Sequence, residues 1–116
     1  MHRFRDLEIW KLSRSFCKDI YEVTSTFPEV EKFGLTNQLR RASVSIPSNI
    51  AEGCSRKSNK EFSRFLEISI GSCYEIETQL LISKDLEFIN MNQLEILLDK
   101  LSSIVKMTSK FKSSLK

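Results

Sequence analysis

The chain has 116 residues, 41% hydrophobic and 28% charged, with a net charge of +3, which fits one soluble globular domain and leaves no room for a second core. No apolar run approaches the ~20 residues that a bilayer span needs. The N-terminus, M-H-R-F-R-D-L-E, scatters charge and has no apolar h-region, so a secretory signal is not expected and the protein is placed in the cytoplasm.

Three Gly and two Pro give little punctuation, and no stretch alternates as a strand would, so an all-α chain is expected. The first helix is predicted over about 6–26, with Asp6 as its N-cap. Ile9, Leu12, Phe16, Ile20 and Val23 form its core stripe, and Trp10, Cys17 and Tyr21 form a second one beside it. That second stripe reads equally well as core edge or as a seam between subunits. Pro28 ends the helix, and Phe27 and Phe33 are expected to fold inward from the loop that follows.

The second helix is predicted over about 35–53, with Thr36 as a plausible cap and Gly53 closing it in the left-handed conformation. Leu35, Leu39, Ala42, Ile46 and Ile50 share its core side. The opposite side carries Asn37, Val44, Ser48 and Ala51, small or apolar where a solvated face would hold Lys and Glu. Pro47 lies inside this helix, where it removes the hydrogen bond to the Ser43 carbonyl and is expected to kink the chain.

Ser58 to Glu61 read as a capping box for a third helix over about 58–85. Its core stripe is Phe62, Phe65, Leu66, Ser69, Cys73, Ile76 and Leu80. Its reverse side holds Ile68, Gly71, Thr78 and Ile82, with Glu67 and Glu75 among them. Gly71 in mid-helix costs ~1 kcal/mol against Ala, which close approach of another helix would explain. Asn92 to Glu95 resemble a second capping box, opening a fourth helix over about 92–115 with Leu94, Leu97, Leu98, Leu101, Ile104, Val105, Phe111 and Leu115 inward. Short connections make this an up-down-up-down antiparallel four-helix bundle in a single domain.

Helices with two dry faces in so short a chain imply a neighbour on each, so a homo-oligomer is expected. Its contacts are assigned to Arg40, Val44, Ser48, Ala51, Ile68, Gly71, Glu75 and Thr78. A charge such as Arg40 among dry neighbours must be paired, with Glu67, Glu75 or Glu77 as candidates. Direct contact with phosphate is the competing role for Arg40 and Arg41.

The three cysteines lie far apart without a C-x-x-C pair, and His2 is the one histidine. No metal site, cofactor or catalytic pair is expected from that set, so the protein is read as non-enzymatic. Cys17 and Cys73 read as buried thiols. Cys54, beside Arg56 and Lys57, is expected to be somewhat more reactive.

The antiparallel arrangement also sorts charge. The N-terminus, the connection between the second and third helices, and the C-terminus would share one end. Arg3, Arg5, Arg56, Lys57, Lys60, Arg64, Lys106, Lys110, Lys112 and Lys116 gather there against Asp6, Glu8, Glu52 and Glu61, ten cations against four acids for a balance of +6. The far end has Lys18, Lys32 and Lys84 against seven acids, a balance of −4. The basic end, apart from Lys106, is the candidate nucleic-acid surface, with binding through phosphates and little sequence preference. The alternative is a structural or protein-binding ring with no nucleic-acid contact.

The run L-T-N-Q-L-R-R-A-S-V-S-I-P-S-N-I-A-E-G from Leu35, and E-F-S-R-F-L-E-I-S-I-G-S-C-Y-E-I-E-T-Q-L from Glu61, carry a family resemblance. With F-R-D-L-E-I-W-K and F-P-E-V-E-K-F-G, they resemble the four-helix-bundle family encoded by intervening sequences in bacterial 23S ribosomal RNA genes. That family is related to the accessory protein (Avd) of diversity-generating retroelements. The resemblance implies a ring, in particular a pentamer, and for the accessory proteins a nucleic-acid adaptor whose partner is a reverse transcriptase.

Overall fold

In the computed structural model, residues 2–115 are described. Four helices make up the fold, α1 Glu8–Thr24, α2 Leu35–Cys54, α3 Asn59–Asp85 and α4 Met91–Ser114, with no strand among the described residues. Single 3-10 turns, Phe4–Asp6 and Glu29–Glu31, precede α1 and α2. Each helix packs on its neighbours in sequence, and α4 returns to α1, within a body of 44 × 24 × 20 Å.

The apolar stripes account for the interior. Phe16 and Ile20 of α1, Leu39, Ile46 and Ile50 of α2, Leu66, Ile76 and Leu80 of α3, and Leu101 and Ile104 of α4 are fully buried. Polar atoms are admitted where two helices meet. The Ser69 hydroxyl donates to the Ile46 carbonyl at 3.0 Å, and Ser45 and Ser72 share a short hydrogen bond across the α2–α3 seam. Pro47 lies within α2 and cannot donate to the Ser43 carbonyl. That carbonyl instead accepts the Cys17 thiol of α1 at 2.9 Å.

The helix ends differ from the sequence expectations in instructive ways. Asp6 belongs to the 3-10 turn, and Leu7 holds the N-cap position of α1 without a side-chain bond. Thr36 is buried inside α2; the Glu31 carboxylate reaches forward to accept from the Leu35 amide at 3.0 Å, so the cap comes from the preceding turn. Ser58 does cap α3, accepting from the Glu61 amide at 3.1 Å. At α4 the capping box is Asn90 with Gln93, two residues earlier than Asn92.

Gly53 is not left-handed. It continues α2, buried where the Phe62 and Phe65 side chains press closest. The left-handed residue is Glu87 after α3, at φ 64°. The Phe88 amide next to it reaches back to the Ser83 carbonyl at 2.9 Å, which closes the helix in the Schellman pattern.

Candidate functional site

The candidate basic surface is built on an aromatic cluster. The His2 ring stands edge-on to Phe62 at 5.8 Å and to Phe111 at 5.2 Å, and Phe62 meets Phe111 at 5.6 Å. Those rings come from the segment before α1, the first turn of α3 and the last turns of α4. Phe4 packs on Trp10 at 5.1 Å and holds the same segment against α1. The cations near these chain segments therefore share one end, while Phe27 against Phe88 at 5.4 Å joins the two connections at the other.

The basic residues at that end are not equivalent. Arg56 donates to Glu52 at 2.7 Å and lies 4.7 Å over the Phe65 ring. Arg3 faces Asp6 at 3.8 Å, and Lys112 faces Glu67 at 3.5 Å. Arg5, Lys57, Lys60, Arg64 and Lys110 are exposed and form no ion pair among the described residues. Lys116 lies outside the described residues. Pairing with carboxylates leaves Arg3, Arg56 and Lys112 less charge to offer a phosphate than the five unpaired side chains. An open cavity of about 500 Å³ separates the N-terminal segment from α2, with His2, Arg3 and Arg5 on its rim and Ala51 and Cys54 on its floor.

Cys54 is no activated thiol. It is buried, and burial pushes its pKa up despite Arg56 and Lys57 nearby in sequence. Cys17 is also raised by burial, and Cys73 is pushed up to about 12. All three stay protonated, the inert state of a thiol.

The residues assigned to subunit contact fall on open surface with two exceptions. Val44 is 42% exposed and Ile68 46% exposed, and Ser48, Gly71, Glu75 and Thr78 are exposed too. A Cβ on Gly71 would meet nothing within 4 Å, so no contact inside the protomer accounts for that glycine. Ala51 is half-buried in the floor of the N-terminal cavity. Arg40 turns toward α1. Its Nε donates to the Thr24 hydroxyl at 2.9 Å, and its guanidinium stacks 4.7 Å over Tyr21. Among the described residues of one protomer Arg40 forms no ion pair, which leaves only a pair across subunits; Glu75 accepts from Gln79 at 3.1 Å and shares a shallow hollow with Arg41.

Sequence reasoning missed several exposed apolar side chains, Tyr74, Leu81 and Leu86 among them. It also placed Phe33 inside, whereas Phe33 and Val30 are 86% and 85% exposed. His2 went unassigned because a short extended segment has no periodicity to read.

Residues 5–110 match the family described as 23S rRNA-intervening sequence protein. The chain belongs to that family. The chain also superposes, with TM-score 0.83 and 24% identity, on a crystal structure from Bacteroides thetaiotaomicron. That structure is of a protein of unknown function from the S23 ribosomal protein family, and the match covers 90% of this chain and 95% of that one. The likeness shows the fold. A comparison with curated proteins finds no match. No helix of this family member is long and apolar enough, among the described residues, to cross a membrane.

Proposed function

We propose that the protein is a non-enzymatic cytoplasmic adaptor that binds RNA or DNA through phosphates, with little sequence preference. In this reading the helices form an up-down-up-down antiparallel bundle, and bundles assemble side by side into a ring, a pentamer, through Val44, Ser48, Ile68, Gly71 and Thr78. A reverse transcriptase is the protein partner it carries, by resemblance to the retroelement accessory proteins. The single observation that supports it most is the collection of unpaired cations, Arg5, Lys57, Lys60, Arg64 and Lys110, at the end organised by His2, Phe62 and Phe111.

The dipole of α3 gives no structural reason for Lys60 and Arg64 to stand at its N-terminus, where cations are disfavoured. A phosphate backbone would give one. Subunit contact draws its support from Gly71 and from the exposed apolar side chains around it.

A mobility-shift titration tests the reading. Changing Lys57, Lys60 and Arg64 together to Glu should abolish retention of RNA and DNA while helix content and particle size hold. Changing Lys18, Lys32 and Lys84 to Glu should leave retention intact, and wild-type log affinity should fall linearly with log salt. No retention at low salt, or equal loss in both triple variants, would replace this reading with that of a structural or protein-binding ring.

A further inference from the structure

Two apolar features at opposite ends of the molecule fit one another. The first is a knob. Val30 and Phe33 are 85% and 86% exposed, on a loop fixed by backbone bonds from Glu31 to Pro28 at 2.9 Å, Lys32 to Glu29 at 3.0 Å and Gly34 to Glu31 at 2.9 Å. A fixed loop pays little entropy to present an aromatic ring. The balance around it is acidic, with Glu29, Glu31, Asp85 and Glu87 against Lys84 and against Lys32, whose ammonium lies 5.7 Å over the Phe33 ring, on the connections joined by Phe27 and Phe88.

The second is a groove. Between the start of α1 and the end of α4, Leu7, Ile9, Met107 and Phe111 line an open cavity of about 500 Å³. Its rim carries Glu8, already paired with Lys11 at 3.5 Å, and Lys110, which has no ion partner among the described residues. The groove therefore offers an apolar floor and one free positive charge.

We propose that the Val30–Phe33 knob of one copy docks in the Leu7–Met107–Phe111 groove of a second copy, end to end, with Glu29 brought toward Lys110. The charge pattern selects this occupant, since the acidic loop meets the end of the molecule that holds the unpaired cations. One protomer cannot make the contact with itself. The 17 residues of α1 separate knob and groove by roughly 25 Å at 1.5 Å per residue. Knob and groove are different surfaces, so the contact is heterologous and leaves each end free for another copy. A single aromatic ring buries only roughly 150–250 Å², far below the ~1,600 Å² of a standard stable interface. The association is consequently weak for single copies and shows at high concentration and low salt.

Photo-crosslinking reads the contact directly. The full chain carrying benzoylphenylalanine in place of Phe33 is irradiated at high concentration and low salt, and the joined peptides are mapped by mass spectrometry. The expected result is a covalent pair of chains linked from position 33 into 107–114 or 7–9. Met107→Glu, which puts a charge on the apolar floor, should lower the yield more than about tenfold. Crosslinks to α2 or α3, or no linked chains at all, would overturn the proposal and give the knob to a different occupant. Should the labelled chain lose helicity, unlabelled protein decides. Phe33→Ser and Met107→Glu must then each remove the concentration-dependent growth of particles in light scattering, and unchanged growth refutes the contact. Lys57, Lys60 and Arg64 are outside the groove, so their Glu variants should still crosslink from position 33; Lys110 is the one cation shared with the nucleic-acid surface.

Discussion

Two glycines in neighbouring helices should respond to the same substitution with opposite signs. A Cβ added at Gly53 would lie 2.7 Å from Phe62 Cδ1, 3.0 Å from Phe65 Cβ and 3.1 Å from Phe62 Cε1. The Phe62 ring cannot simply swing away, because His2 and Phe111 pack on it at 5.8 and 5.6 Å. Alanine gains about 1 kcal/mol in helix propensity, but overpacking a filled site costs about 1–3 kcal/mol. Gly53→Ala should therefore lose up to about 2 kcal/mol, since the contact with Phe65 Cβ falls near its backbone. Gly71 is exposed, a Cβ there meets nothing within 4 Å, and its φ is not positive. At concentrations low enough to separate the copies, Gly71→Ala should gain about 0.5–1 kcal/mol. In thermal unfolding followed by circular dichroism at matched concentration, each kcal/mol should move Tm by about 3–6 °C for a chain of this size. A rise at Gly53 would refute the close approach of α2 and α3. A loss at Gly71 confined to high concentration would instead place a second copy against it.

Glu87 holds a left-handed φ of 64°, a conformation that costs a non-glycine residue roughly 1 kcal/mol. Glu87→Gly should raise the midpoint of urea unfolding by a comparable stability, and no gain would mean that the Glu side chain offsets the strain. Burial raises the Cys73 thiol from 9.0 to about 12, so the unfolded chain releases this proton at lower pH than the folded one. Its contribution is complete below 9.0 and is lost as pH climbs toward about 12. Denaturation curves across that window should fall more steeply for wild type than for Cys73→Ala, and parallel slopes would contradict the assignment.

The four helices were legible because their apolar residues recur at helical spacing, and the buried side chains of α1 to α4 are largely those stripes. Ends were less so. A cap is chosen by a few atoms, and the box opens at Asn90, two residues before the Asn92 that the spacing favours. Glu31 reaching forward to Leu35 follows no standard spacing signal. Phe33 was misplaced because hydrophobicity alone says nothing about which way the connection between α1 and α2, residues 25–34, turns. Charge was legible as a sum at one end, but the pairing of Arg56 with Glu52 and of Lys112 with Glu67 depends on rotamers and crossing geometry. Arg40 shows the same limit. Its partners Thr24 and Tyr21 are on another helix, and Tyr21 offers a ring and a carbonyl in place of a carboxylate.

The hydroxyls buried between α2 and α3 have a consequence for how much sequence change the protein can absorb. An apolar stripe is nearly self-similar under a shift of one helical turn, so oily contacts alone would allow α3 to slide along α2. Ser69 on the Ile46 carbonyl favours one alignment, since a slip strips the partner from a buried hydroxyl, and Ser45 against Ser72 adds a second bond at the half-buried edge of the seam. Exchanging Leu, Ile and Met in the interior should therefore be forgiven far more often than exchanging these small serines, although serine is the commoner choice for a dispensable surface position. A saturation scan would find its sharpest intolerance in the least hydrophobic residues of the core.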